Sequence, residues 1–234
     1  MSVLLLRLAG PLQSWGDASR YTKRHTRTEP TKSGVLGLLA AAQGRRRTDP
    51  IEDLAALAFG VRVDQRGRIE RDFQTAIRRF PDGRTTSMPL SVRYYLSDAV
   101  FVAAVAGDRE LLEGLDEAIH APRFPLYLGR RACAPMGEIS MGLHDGDLEE
   151  VLRGADWQAA PWYRRQQGPR VHLDLVLDTA PGTPLAETSR DVPLSFDPVR
   201  REYGWRDVVR PTPVEVTNTD GRVEPDFLAA YGGA

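Results

Sequence analysis

The stretch that decides the fold is Val3-Leu4-Leu5-Leu6-Arg7-Leu8-Ala9, near the start of the chain. Almost every residue in it is apolar, which is typical of a strand covered on both faces at the centre of a sheet. Gly10 and Pro11 then end the strand. We therefore expect a sheet built around residues 3–9.

The segment that follows predicts helices. Thr31 is a suitable N-cap, residues 32–43 carry apolar side chains at helical spacing, and Gly44 suits a C-cap. Pro50 can open a second helix over residues 51–58.

The rest of the chain continues the alternation of strands and helices. Strands are predicted over 60–64, 73–77, 92–96, 100–106, 126–128 and 171–177, and helices over 111–119 and 147–152. From residue 180 onward the chain is rich in proline, and we expect an irregular extension with little core of its own. The order β-α-β-β-α-β, followed by extra strands, predicts an α+β fold of the ferredoxin-like or RRM-like kind.

Composition excludes several classes of protein. Hydrophobic residues make up 41% of the 234 residues and charged residues 27%, which is ordinary for a globular protein. The longest apolar stretch, 35–42, is far shorter than the ~20 residues of a membrane-spanning helix. The first apolar run stops at Arg7 without a preceding basic region, so no secretory signal is expected. The single cysteine, Cys133, allows no intrachain disulfide and indicates a reducing cytoplasm.

Charge is balanced overall but unevenly distributed. The net charge is −1, yet residues 20–93 hold 16 Lys and Arg against 8 Asp and Glu. A basic block on an acidic body predicts one face that meets an anionic partner. The cations are almost all arginine, which binds phosphate bidentately and stacks on bases.

Metal and nucleotide chemistry are disfavoured by spacing. The histidines are His25, His120, His144 and His172, and none forms an HxH or HxxxH pair. We therefore expect no metal site and no cofactor. Lys32 and Ser33 resemble the end of a phosphate-binding loop, but the upstream glycine of that motif is missing. The start of a helix still offers N–H groups that could hold a phosphate.

Binding of single-stranded RNA needs cations, aromatic platforms and polar groups for base edges. We expect phosphate contacts from Lys32, Ser33, Arg45, Arg46, Arg47, Arg130 and Arg131, and base or ribose contacts from Gln13, Trp15 and Tyr127. Gly129, just before the two arginines, would let the backbone approach a ligand closely.

Four segments carry a resemblance to a known family. They are Leu6-Arg7-Leu8-Ala9-Gly10-Pro11-Leu12-Gln13-Ser14-Trp15-Gly16; Pro30-Thr31-Lys32-Ser33-Gly34-Val35-Leu36-Gly37-Leu38-Leu39; Tyr127-Leu128-Gly129-Arg130-Arg131-Ala132-Cys133; and Asp191-Val192-Pro193-Leu194-Ser195-Phe196, with Arg201 and Tyr203 after it. Together they resemble the CasD family of subunits of type I-E CRISPR Cascade complexes, in the RAMP superfamily.

That resemblance implies a fold and a role in antiviral defence. It implies an RRM-like palm over 1–72 and 97–234, which includes the C-terminal extension, and an inserted β-hairpin thumb over 73–96. Arg78, Arg79 and Arg84 would lie at or near the thumb tip. It implies a ribonucleoprotein subunit that grips the 5′ handle of CRISPR RNA (crRNA), packs its thumb on the backbone subunit CasC and helps seat the large subunit CasA.

Catalysis is not expected. In type I-E complexes a different subunit, CasE, cuts the RNA, whereas a type I-C relative cuts repeat RNA with Tyr, Lys and His. This sequence has no Lys-His pair. Two alternatives stay open at this point: a metal-independent endoribonuclease that uses Tyr21, Lys23 and His25, and a small ferredoxin-like regulator that binds an anionic ligand.

Overall fold

The computed structural model describes residues 1–16 and 22–222. Within that part of the chain the helices are α1 (Lys32–Gln43), α2 (Glu52–Ala55), α3 (Arg109–His120), α4 (Leu148–Gly154) and α5 (Pro161–Arg164). The strands are β1 (Ser2–Ala9), β2 (Leu12–Gln13), β3 (Lys23–Arg24), β4 (Ala58–Gln65), β5 (Arg68–Gln74), β6 (Ile77–Arg79), β7 (Thr85–Ser87), β8 (Ser91–Ser97), β9 (Val100–Gly107), β10 (Ser140–Asp145), β11 (Arg170–Leu173), β12 (Leu175–Thr179), β13 (Glu187–Ser195), β14 (Glu202–Val209) and β15 (Val214–Thr217). The fold is mixed α+β, as the sequence predicts.

A seven-stranded antiparallel sheet forms the body, in the order β10-β1-β9-β4-β12-β14-β13. Strand β1 lies inside it and pairs with β9 and β10. Leu4, Leu6 and Leu8 pack in the core under α1 and α3, whereas Val3 and Leu5 pack on the opposite face with α4. The apolar run at residues 3–9 is thus explained by burial on both faces of the sheet.

Six elements within the body keep a simple order. In chain order they are β1, α1, β4, β9, α3 and β10. Across the sheet their strands lie in the order β10-β1-β9-β4, which are the fourth, first, third and second of these strands in chain order, and each neighbouring pair is antiparallel. The residues between β4 and β9 form strands β5 to β8, which lie outside this six-element unit.

Helix α1 has the predicted bounds and caps. The Thr31 hydroxyl accepts a hydrogen bond from the Gly34 N–H, and Gly44 ends the helix in the left-handed conformation at φ +79°. The second predicted helix, 51–58, is too long. Only Glu52–Ala55 is helical, because Ala58 already pairs with Ala106 of β9 in the sheet.

The excursion between β4 and β9 is a ribbon. Strands β5 and β8 pair from Arg68↔Ser97 to Gln74↔Ser91, and β6 and β7 form a hairpin at the far end. The predicted thumb, 73–96, lies within this ribbon, whose pairing begins earlier, at Arg68. Strand β8 also pairs with β2 at the base of the ribbon, through Leu96 and Ser97, and in parallel with β3 at its outer end, through Val92 and Arg93.

Four further predictions about secondary structure are wrong. The predicted strand 73–77 is interrupted between β5 and β6, and the predicted strand 171–177 divides into β11 and β12, which lie in different sheets. Residues 126–128 form no strand, because the Leu128 N–H bonds to the Cys133 carbonyl within its own turn. The proline-rich end is not an irregular extension, because β13 and β14 complete the main sheet. Pro193 fits β13 because this is an edge strand, where a missing N–H breaks no ladder bond.

Candidate nucleic-acid interface

An exposed basic and aromatic surface lies part-way along the ribbon, beside residues 92–94 of β8. Strand β3 places Lys23 and Arg24 beside Val92 and Arg93 of β8, and both β3 residues are exposed. The next residue, His25, stacks on Tyr94 with ring centroids 4.9 Å apart and ring planes 9° apart. We call Lys23, Arg24, His25, Tyr94 and the exposed Arg131 the basic platform.

The turn of residues 127–133 rests against this region. Gly129 has φ +86°, and a Cβ atom there would lie 1.8 Å from the carbonyl oxygen of Ser14. The Ser14 N–H donates to the Leu128 carbonyl at 3.1 Å. Glycine is therefore required because the backbone of the same chain passes so closely, and not, as the sequence suggested, to admit a ligand.

Arg130 joins the turn to the platform. Its guanidinium donates to the carbonyls of Tyr94 and Arg24, each at 3.0 Å, and lies 4.7 Å from the ring centroid of Tyr95. These contacts engage the side chain within the protein. Arg130 consequently positions the platform, whereas Arg131 is exposed and able to meet a phosphate.

Gln13 and Trp15 lie beneath the platform, in the core. Gln13 is fully buried, and its amide donates to the carbonyls of Leu8 and Ala99 at 3.1 and 2.7 Å. The Trp15 indole N–H donates to the Gln13 side-chain oxygen at 3.0 Å, and only 1% of Trp15 is exposed. The structure therefore places neither side chain where a base could stack on it, because Gln13 joins β1 to the β8–β9 turn and Trp15 is bonded to Gln13.

The start of α1 is occupied by a carboxylate of the same chain. Asp191 accepts a hydrogen bond from the Lys32 N–H at 2.8 Å and two from Arg206 at 2.6 and 2.9 Å. The Lys32 ammonium lies 2.9 Å from Asp178, which also pairs with Arg206. We call Lys32, Asp178, Asp191 and Arg206 the buried ionic network.

This network fills the position that the sequence predicts for a phosphate at Lys32 and Ser33. Lys32 is 5% and Ser33 6% exposed. Burial raises the pKa of Asp191, but the Arg206 guanidinium, the Lys32 N–H and the Ser189 hydroxyl lower it more, so the net pKa is below the usual range. Asp191 is therefore an ionised internal cap for the helix.

The arginines after α1 lie away from its start. Arg45 forms a bidentate pair with Asp53 at 2.5 and 2.6 Å, while Arg46 and Arg47 are exposed. A helix of 12 residues is about 18 Å long, so these side chains and Lys32 cannot hold the same phosphate.

The remaining predicted residues lie in two places. Tyr127 is half-buried in the turn that carries Arg131. Arg78, Arg79 and Arg84 are exposed on the β6–β7 hairpin, where Arg84 pairs with Asp82 at 2.6 Å. Arg78 lies 4.9 Å above the ring of Phe80. The ribbon arginines thus lie on the terminal hairpin, whereas the platform lies beside residues 92–94 of β8, before the hairpin begins.

The sequence did not predict the stacked pair of His25 and Tyr94. These residues are 69 positions apart in the chain, and parallel pairing of β3 with β8 brings them together. Of the nuclease candidates, Tyr21 lies outside the described residues. In residues 1–16 and 22–222 no three or more His, Cys, Asp or Glu side chains are grouped as metal ligands would be. None of the helices in those ranges has the length and apolar character needed to cross a membrane.

Comparison with known proteins identifies the family of this chain. The family described as CRISPR-associated protein (Cas_Cas5) matches residues 3–209. This chain belongs to the Cas5/CasD family of CRISPR-associated proteins.

Individual relatives are similar to this chain in sequence or structure over nearly its whole length. The CRISPR system Cascade subunit CasD of Escherichia coli K12 is 31% identical over 224 residues, which cover 88% of this chain and 94% of that protein. A crystal structure of a Cas protein is 37% identical with a TM-score of 0.70, covering 95% of this chain and 99% of the other. A chain from a CRISPR RNA-guided surveillance complex is 33% identical with a TM-score of 0.76, covering 96% and 95%.

Proposed function

We propose that this chain is a non-catalytic, cytoplasmic subunit of a type I-E Cascade surveillance complex that binds the 5′ handle of crRNA. In this role it caps the CasC backbone and helps seat CasA. Support comes from its family and from relatives described as a Cascade subunit and as part of an RNA-guided surveillance complex.

The observation that carries the proposal is the basic platform. Single-stranded RNA is held by cations that neutralise its backbone and by flat rings on which bases stack. Lys23, Arg24 and Arg131 supply the charge, and the parallel rings of His25 and Tyr94 supply the stacking surface. Arg130 fixes their relative positions through the Tyr94 and Arg24 carbonyls.

The ribbon fits the role of a thumb that contacts another protein. Its exposed side chains are apolar as well as basic: Ile69, Phe73, Ile77, Met88 and Leu90 are each 45% or more exposed. Apolar side chains gathered on one exposed element mark a surface that a partner covers. We assign this surface to CasC, with Arg78, Arg79 and Arg84 beside it.

The palm of the proposal is the six-element unit β1-α1-β4-β9-α3-β10. Its strand order, with all neighbours antiparallel, supports the assignment of this unit to the ferredoxin-like or RRM-like kind. We therefore assign the palm to this unit, the thumb to the ribbon between β4 and β9, and the strands after β10 to an extension of the palm sheet.

The test is co-purification with RNA. Arg24→Ala combined with Arg131→Ala should reduce recovery of crRNA and flatten the salt dependence of binding by about 0.7 log units per lost phosphate contact. Arg200→Ala is the matched control, because Arg200 is exposed, pairs with Glu202 and lies outside the platform. An unchanged salt slope in the double variant would contradict the assignment of the platform to RNA.

Absence of catalysis is tested separately. The purified chain without CasE should leave repeat RNA intact. Cleavage that disappears in Lys23→Ala or His25→Ala would show that the chain is instead a nuclease.

A further inference from the structure

A second concave site lies at the other end of strand β8. The cavity has a volume of about 320 Å³ and is lined by Arg66, Arg68, Asp98, Trp162, Tyr163 and Gln166, together with Ser97. Tyr94 of the basic platform is three residues from Ser97, which is about 10 Å along a strand. The cavity is therefore separate from the platform.

The walls of this cavity are held by a buried amide. The Gln65 side-chain N–H donates to the Asp98 carbonyl at 2.5 Å, and its oxygen accepts from the Ala160 N–H at 3.0 Å. Ala160 is the residue that precedes α5, the helix that carries Trp162 and Tyr163. One side chain thus fixes the β8–β9 turn to α5, and the cavity is formed before any ligand binds.

The lining combines charge with an exposed ring. Arg66 pairs with Asp174, whereas the guanidinium of Arg68 has no ion pair or hydrogen bond within the described part of the chain. Trp162 is 43% exposed, and the adjacent Tyr163 ring meets it edge to face at a centroid distance of 5.8 Å. Among the described residues that line the cavity, Asp98 is the only one with a carboxylate.

We propose that this cavity binds one nucleoside 5′-monophosphate unit with a guanine base. The base stacks on Trp162, its N1–H and N2–H donors meet the Asp98 carboxylate, and its phosphate meets Arg68. The volume lies at the lower end of the ~300–1,000 Å³ usual for ligand sites, which suits one nucleotide. The inference goes beyond the proposed function, because this cavity shares no lining residue with the basic platform. Its ligand is either a free nucleotide or one unpaired nucleotide of an RNA strand.

The indole N–H signals of the four tryptophans give a direct measurement by NMR on the full-length, ¹⁵N-labelled protein. Trp15 and Trp157 are buried and donate to Gln13 and Asp64, whereas Trp162 and Trp205 are exposed. Titration with GMP should shift the Trp162 signal in a saturable manner and leave the Trp205 signal in place. The Trp162→Phe variant assigns the signal.

Variants then separate the three contacts. Arg68→Ala should weaken GMP binding at least several-fold. Trp162→Ala, with binding measured by calorimetry because the NMR signal is lost, should weaken it about 5- to 150-fold, as expected for loss of a stacked base. Asp98→Asn should remove the preference for GMP over UMP, and asparagine tolerates the φ of +54° found there. Trp205→Ala is the matched control and should bind GMP normally.

Three results would overturn the proposal. They are no shift of the Trp162 signal at millimolar GMP, equal shifts of Trp162 and Trp205, and an equal response to inorganic phosphate alone. A single-stranded RNA hexamer containing guanine identifies the source of the ligand. If it displaces GMP, the cavity takes a nucleotide of RNA; if GMP binds and the hexamer does not displace it, the ligand is a free nucleotide.

Discussion

Asp191→Asn is the most informative perturbation of this fold. In the wild-type protein the Asp191 carboxylate accepts hydrogen bonds from the Lys32 N–H, from two Arg206 nitrogens and from the Ser189 hydroxyl, at 2.6–3.0 Å. The asparagine has nearly the same volume but no charge. Arg206 and Lys32 would then share Asp178 alone, which leaves one buried positive charge without a partner.

The expected loss is large. Removing one partner of a buried ion pair costs about 3–5 kcal/mol in the free energy of unfolding. For a chain of this size each kcal/mol lowers Tm by about 2–4 °C, so Tm should fall by about 6–20 °C. Urea unfolding at pH 7 should show a lower midpoint with an unchanged slope.

The loss should also depend on pH. The folded-state pKa of Asp191 is below its usual value, because contacts with Arg206, Lys32 and Ser189 outweigh the opposing effect of burial. Its contribution is therefore complete above about pH 4, the ordinary aspartate value, and disappears as the pH falls through the folded pKa. The difference between wild type and variant should be constant from pH 7 to about 5 and shrink below about 4.

Asp145→Asn provides the control. It makes the same chemical change in an ion pair with Arg109, where 79% of the aspartate side chain is exposed. Exposed pairs contribute about 0.2–1 kcal/mol. If Asp191→Asn costs no more than Asp145→Asn at pH 7, the reasoning about the buried ionic network is wrong.

Three further predictions concern other parts of the chain. Trp15→Ala should cost about 3–5 kcal/mol of stability, measured by urea unfolding, because the ring is a core side chain; an unchanged stability with weaker RNA binding would instead restore the stacking role. Gly129→Ala should lower Tm and weaken RNA binding together, because the new Cβ would collide with the Ser14 carbonyl, whereas Gly83→Ala, where a Cβ meets nothing within 4 Å, should disturb the turn of the ribbon hairpin alone. Replacing residues 78–90 by a short Gly-Ser turn should leave Tm nearly unchanged, because these residues lie at the exposed end of the ribbon, and should reduce co-assembly with CasC; normal assembly would place the partner surface elsewhere.

Local signals in the sequence were sufficient for the elements around the core. The run at residues 3–9 predicts a central strand because its burial on both faces is encoded in its own composition. Helix α1 was predicted to the residue, because Thr31 and Gly44 are caps whose effect is local. The proline-rich end was misread, since Pro193 disfavours a central strand but is tolerated at an edge, and position in a sheet is not a local property.

The candidate site was predicted less well, for a related reason. Exposure decides whether Trp15 or Arg130 can meet a ligand, and exposure is set by residues far away in the chain. Arg130 is engaged by carbonyls that are 36 and 106 residues away. Arg131, which is its neighbour in sequence, remains exposed. Only the fold distinguishes these two arginines.

The position of Asp191 has a consequence for synthesis in the cell. The residue that caps α1 lies 159 positions after Lys32. At about 5–20 residues per second, roughly 8–32 s pass between translation of the helix start and translation of its cap. During this interval the nascent chain cannot close its ionic network, and the outer strand β13 that carries the cap is missing from the sheet. A chain that ends before residue 191 therefore keeps the local Thr31 cap of α1 but lacks the carboxylate that accepts from the Lys32 N–H.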